Sequence, residues 1–271
     1  MWLAIVAVIV GLAILVWSAD VFIDGAVVLA NKLNVPSFLI GVVILGLGTS
    51  APEMVVSVLA ALEGSPELAL GNAYGSNIIN IALVLGATVL ISPIIIRSSI
   101  IKRDMPLLLL VTAVAAWQLS DGVLGHTDGL VLIVLLVMIL AIQIVLSLRE
   151  GNHEHEDDPA LESSEETSAI RGIGTLFLGL LVLILSSRAI VWGAVELATL
   201  WGLSELMIGL TIVAVGTSLP ELVASLSAAR KGEHDMALGN IIGSNIFNTL
   251  AVVGLAALIA PITPNAIILS R

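Results

Sequence analysis

The sequence predicts an all-α, polytopic membrane protein built from inverted-topology repeats. Three observations carry that expectation: a composition too apolar for a water-facing surface, a series of span-length apolar segments, and a pair of polar motifs that return at one fixed offset. Hydrophobic residues make up 58% of the 271 and charged residues 11%, whereas soluble domains carry about 25% charged residues. Mean hydropathy is +1.13. Such a chain has too little polar surface to fold in water. The apolar runs are close to the roughly 20 residues of a spanning helix, and no ten-residue alternation suggests an outer-membrane barrel.

Composition also excludes several classes. The formal charge is −11, but much of the acid sits in one loop, and the ten Lys and Arg residues are too scattered for a nucleic-acid surface. Cysteine is absent, which removes disulfides and thiolate chemistry. Met1-Trp2-Leu3 starts apolar without a basic region, as a first span does and a cleaved signal peptide does not.

Taken in order, eight spans are expected near residues 2–30, 36–62, 67–92, 105–120, 129–148, 172–200, 205–230 and 236–260. Residues 149–171 form an aqueous segment with Gly151-Asn152-His153-Glu154-His155-Glu156-Asp157-Asp158 and then a Ser/Glu-rich run, the composition of a flexible linker. The organisation is therefore a first half over 1–148, an acidic linker over 149–171 and a second half over 172–271. His126, His153, His155 and His234 all fall near connections, so no buried histidine base is expected.

The repeat is explicit. Gly48-Thr49-Ser50-Ala51-Pro52-Glu53 returns as Gly216-Thr217-Ser218-Leu219-Pro220-Glu221, and Gly71-Asn72-Ala73-Tyr74-Gly75-Ser76-Asn77-Ile78-Ile79-Asn80 returns as Gly239-Asn240-Ile241-Ile242-Gly243-Ser244-Asn245-Ile246-Phe247-Asn248, both 168 positions later. Ile40-Gly41 and Pro93 fall on Ile208-Gly209 and Pro261 at the same offset. An odd number of spans separates the copies, so the second half is expected upside down. Lys32, Arg97, Lys102, Arg103, Arg149, Arg171, Arg230 and Lys231 fall in odd-numbered connections, which places those inside and the N-terminus outside. In this register Arg271 aligns with Arg103. The sequence thus reads as eight spans of a plan with two five-helix halves, the last two of ten missing.

The motifs carry the chemistry. Glu53 and Glu221 sit well inside spans, where an ionised carboxylate is costly. Pro52 and Pro220 each remove a backbone donor and are expected to break the helix, freeing carbonyls. Such backbone is tolerated at membrane depth only beside protein or a water-filled cavity. The result is a pocket of carboxylate, hydroxyl and carbonyl oxygen, the ligand set of hard cations such as Ca²⁺ or Na⁺. Gly71-Asn72, Ser76, Asn77 and Asn80 add oxygens from the following span. A blander alternative exists for each copy: Ser50 to Glu53 and Ser218 to Glu221 fit a helix-capping box. Asn77, Asn80, Asn245 and Asn248 could equally tie helices together.

These repeated motifs resemble the α-repeats of the sodium/calcium exchangers, within the cation/calcium exchanger superfamily and nearest its compact prokaryotic members. The resemblance implies Ca²⁺ ligation by Glu53 and Glu221 with the carbonyls of Thr49 and Thr217. It implies Na⁺ positions using Ser50, Ser218, Ser76, Ser244, the Gly46 and Ala214 carbonyls, Thr49 and Thr217, with Asn80 and Asn248 completing the centre. It further implies a secondary antiporter of the prokaryotic inner membrane, not an enzyme, with Ca²⁺ and Na⁺ as substrates, three Na⁺ per Ca²⁺, no cofactor, no nucleic acid and no evident protein partner beyond the lipid bilayer. Many members have an aspartate where this chain has Asn248, which disfavours potassium coupling. Neither GN motif continues to the glutamate of the proton/calcium branch, although Glu53 and Glu221 can themselves take protons. A Ca²⁺/H⁺ antiporter and a cation channel are the alternatives. Asp20 and Arg188 share a register and are expected to snorkel or make local polar contacts.

Overall fold

The computed structural model describes residues 1–154, 169–203, 212 and 214–263, which are helical with no β-strand among them. The order is α1 (Trp2–Leu33), α2 (Ser37–Leu62), α3 (Pro66–Ile91), α4 (Ser98–Gln118), α5 (His126–Glu154), α6 (Ala169–Leu200), α7 (Ala214–Thr217), α8 (Leu219–Arg230) and α9 (His234–Ile259). Among the described residues six helices are long and apolar enough to cross a membrane, namely α1, α2, α3, α5 over His126–Leu146, α6 over Ile170–Leu200, and α9.

Two expected spans differ in detail. The fourth, near 105–120, is α4, which starts at Ser98 and is not among those six. Its early turns take in Lys102, Arg103 and Asp104; Asp104 is fully buried and accepts hydrogen bonds from Arg103 Nε and Gln143 Nε2 on α5. The buried acid is thereby partnered inside the helix pair. Of the seventh, near 205–230, the first part lies outside the described residues, and the remainder is α7 and α8. Helix α5 continues to Glu154, into the segment expected as linker, while residues 155–168 lie outside the described set.

Backbone contact between glycines sets the packing. A Cβ on Gly41 of α2 would lie 2.5 Å from the Met236 carbonyl oxygen, and one on Gly239 of α9 would lie 2.5 Å from that of Phe38. Small residues let spanning helices approach this closely. The α1 and α6 helices cross in the same way, with a Cβ on Gly25 reaching the Leu176 backbone nitrogen at 2.4 Å and one on Gly179 reaching that of Phe22 at 2.5 Å. Buried shares separate centre from rim: 89% of the most apolar window of α9 is buried, against 28% for α1. Helix α9 is the axis of the molecule, with α2, α3 and α5 against it and the α1–α6 pair alongside α8.

The prolines behave differently from expectation in the first copy. Helix continues from Gly46 to Leu62 with Pro52 inside it, because the one ladder bond lost there leaves the flanking turns bonded. The distortion lies about two turns earlier, where α2 widens into a π-helical stretch over Gly41–Leu45. In the second copy the chain does break: Ser218 is a turn residue between α7 and α8, and Pro220 lies in the first turn of α8, where its missing N–H is not needed. Helices α3 and α9 widen into π stretches over Asn80–Leu85 and Asn248–Val252, again 168 residues apart.

Candidate cation-binding site

Four polar segments meet at the middle of the spanning helices. Thr49, Ser50 and Glu53 come from the centre of α2, Ser218 and Glu221 from the start of α8, and Asn80 and Asn248 from the π turns of α3 and α9. Thr49 and Ser50 are fully buried, Glu53, Glu221, Asn80 and Asn248 are each 1% exposed, and Ser218 is 2% exposed.

Direct contacts join the two copies. Thr49 Oγ1 lies 3.2 Å from Asn240 Oδ1 and 3.3 Å from Ser244 Oγ, and it also donates to the Leu45 carbonyl at 3.0 Å. Ser50 Oγ donates to Glu221 Oε1 in a long contact of 3.5 Å. Asn80 Nδ2 donates to Asn245 Oδ1 at 3.1 Å, and Asn77 Nδ2 to Thr249 Oγ1 at 2.8 Å. Asn77 and Asn245 therefore act as ties between α3 and α9, the alternative raised for the asparagines.

The capping alternative does not hold for either glutamate. Ser50 is inside a helix, and the N-cap Ser218 makes no side-chain capping bond. What remains is oxygen without partners. Both Glu53 carboxylate oxygens, Glu221 Oε2, Ser218 Oγ, Asn80 Oδ1 and both amide atoms of Asn248 are buried with no hydrogen-bond partner. Native interiors leave few such groups, and a cluster of them asks for an explanation. Here the cluster is almost all oxygen and carries two carboxylates, the donor set that suits a hard cation. No group of three or more His, Cys, Asp or Glu side chains converges among the described residues, so the charge comes from the glutamate pair.

The remaining expected residues are placed as follows. Ser76 is buried on α3 one turn before Asn80, and Gly46 packs against Gly243 and Ser244 of α9. Thr217 closes α7 and, with Glu53, Pro52 and Pro220, lines a cavity of about 320 Å³. Ala214 is the first residue of α7.

Sequence reasoning overlooked the groups that hold the glutamates. Asn72 Nδ2 donates to the Glu53 carbonyl at 3.3 Å and to Ser57 Oγ at 3.1 Å; Asn240 Nδ2 donates to the Glu221 carbonyl at 3.3 Å and to Ser225 Oγ at 2.8 Å. Ser57 and Ser225 are 168 apart, so the register carried the signal. Ser187 was also unforeseen: its hydroxyl donates at 3.0 Å to the Gly216 carbonyl, the acceptor that Pro220 cannot bond.

The family described as sodium/calcium exchanger protein matches residues 3–145 and 171–271 of the chain. The chain belongs to the sodium/calcium exchanger family. Among relatives, the inner membrane protein YrbG of Escherichia coli (strain K12) is 42% identical over 265 residues, covering 96% of this chain and 81% of that protein. The sodium/calcium exchanger MaX1 of Methanosarcina acetivorans is 32% identical over 287 residues, covering 93% and 82%. The solved structure of the sodium-calcium exchanger NCX_Mj, soaked with zero Na⁺ and Ca²⁺, superposes with a TM-score of 0.84 at 32% identity over 99% of this chain and 86% of the other. This is thus an all-helical membrane protein of an ion-exchanger family, a family of transporters and not of enzymes, and cation–calcium exchange is the activity the likeness carries.

Proposed function

We propose that the chain is a secondary antiporter exchanging Ca²⁺ for Na⁺, with Glu53 and Glu221 as its central carboxylates. The observation that carries this reading is the set of buried, unpartnered oxygens contributed by both motif copies. Two carboxylates neutralise one Ca²⁺, and Na⁺ can spread over the hydroxyls of Ser50, Ser218, Ser76 and Ser244 and the carbonyls of Thr49, Thr217, Gly46 and Ala214. Asn80 and Asn248 fill the centre with neutral oxygen, so the glutamates do most of the charge balancing.

The mechanism follows from where charge is tolerated. An uncompensated carboxylate pair at membrane depth is expensive, so the protein reorients when cations cover both. Cargo shifts that balance only through its different affinity for the two states. Helices α1 and α6, which meet across glycine contacts, are the pair suited to slide against the core of α2, α3, α8 and α9. Residues 1–148 and 172–271 act as inverted halves joined by the acidic segment 149–171. The positive connections put that segment in the cytoplasm and the N-terminus outside, and the chain in a prokaryotic inner membrane.

The test is ⁴⁵Ca²⁺ uptake into proteoliposomes with Na⁺, K⁺ and pH gradients imposed one at a time. Uptake driven by outward Na⁺ alone is the expected result. Uptake driven only by a pH gradient would make the chain a Ca²⁺/H⁺ antiporter, and uptake without any trans ion would make it a channel.

A further inference from the structure

Arg188 lies near the middle of α6, within the stretch Ile170–Leu200 that is apolar enough to span a membrane. A guanidinium stays protonated, and a charge at that depth normally finds a partner or a wet cavity. Arg188 is exposed and makes no hydrogen bond or ion pair with the described residues. Instead it lines the cavity of about 320 Å³ that also reaches Glu53, Asn72, Ser187, Trp192 and Thr217. Among the described residues Glu53 is the one carboxylate on that wall, and neither of its oxygens has a partner there.

The duplicated register sharpens the point. The counterpart of Arg188 is Asp20, 168 residues earlier, and Asp20 is engaged: it accepts a hydrogen bond from Ser227 Oγ, and Lys231 Nζ bonds its carbonyl. The two halves therefore carry opposite charges at equivalent places. One is tied down by α8 and the residue after it, and the other, with no partner among the described residues, lines the same cavity as a site carboxylate.

We propose that Arg188 is a tethered cation that competes with the transported ions for Glu53 and so sets the affinity of the site. The inference rests on reading Glu53 as a site carboxylate. With ions bound, the guanidinium is repelled into the cavity; as they leave, it supplies counter-charge to Glu53 and hastens their release. A transported cation thus binds against a competitor that is never diluted away.

Equilibrium ⁴⁵Ca²⁺ binding to the purified full chain in detergent tests this, alongside exchange in proteoliposomes. R188Q should bind Ca²⁺ roughly tenfold more tightly, the scale of one nearby charge in a partly wet site, with slower Ca²⁺ release. R188K should stay within about threefold of the parent, since it keeps the charge. Unchanged affinity in R188Q overturns the proposal, as does an equal shift in R188K, which would assign the effect to shape. Because Arg188 bonds to none of the described residues, R188Q removes no described contact; should it aggregate, R188M provides the same neutral comparison. E53Q separates the two levels. If E53Q leaves Ca²⁺ binding intact, the site reading itself fails, whereas weakened binding in E53Q with a silent R188Q defeats the role of Arg188 alone.

Discussion

The same six-residue motif folds in two ways in this molecule. In the first copy, helix runs unbroken from Gly46 to Leu62 through Pro52; in the second, the chain turns at Ser218 and restarts at Leu219. Neighbours account for part of the difference. The Gly216 carbonyl, left without its ladder donor by Pro220, takes the Ser187 hydroxyl from α6, while the equivalent residue of α1 is Ala19, which has none to give. Burial differs too, with α9 89% buried over its most apolar window and its counterpart α3 22%. A duplicated sequence thus supplies equal ligands on unequal supports, one embedded and one at the rim.

Removing the glutamates tests whether the ligands are equal despite those supports. E53Q and E221Q are each expected to lower Na⁺-driven Ca²⁺ exchange by roughly 100-fold or more, since each deletes half the site charge. Normal exchange in either variant breaks the equivalence, and in both it ends the proposed site. The supports should separate next. Asn240 is fully buried and reaches Thr49, Glu221 and Ser225, whereas Asn72 is half-buried and reaches Glu53 and Ser57. N240A should destabilise by roughly 3 kcal/mol and N72A by about 1 kcal/mol, given the cost of stranding buried partners; thermal melting in detergent measures both. Equal losses would mean that burial does not distinguish the halves.

The prolines give a smaller contrast. P52A restores a donor inside a continuous helix and should stabilise by about 2 kcal/mol. P220A changes a first-turn position and should stay within roughly 0.5 kcal/mol. A matching gain in both would show that the break at Ser218 is not what relieves Pro220. S187A should lose about 1 kcal/mol of stability for one hydrogen bond, with A19S near neutral.

Much of this was legible because the sequence contains its own comparison. The 168-residue register marks both glutamates and the asparagines, and it holds Ser57 and Ser225 as well, although a serine in an apolar helix attracts little notice by itself. The path of α2 through Pro52 was not legible. Proline reports the loss of a donor, but whether the helix breaks depends on what else the freed carbonyl and its turn can pack against. The π stretches at Asn80 and Asn248 escaped for a related reason: widening a turn depends on tertiary packing and has no residue signature of its own. Helix α4 was placed too late because Lys102 and Arg103 read as a connection, and the Gln143 partner of Asp104 emerges only when α4 lies against α5.

The glycine crossing of α2 and α9 has a consequence for ionic radius. Thr49 and Ser50 ride on one helix and Asn240 and Ser244 on the other, and the separation of the two rods is fixed where Gly41 meets Met236 and Gly239 meets Phe38. No side chain lies between the backbones there to yield by changing rotamer. In the proposed site, the caliper that would measure a cation is therefore the main chain itself, with the polar side chains as its jaws.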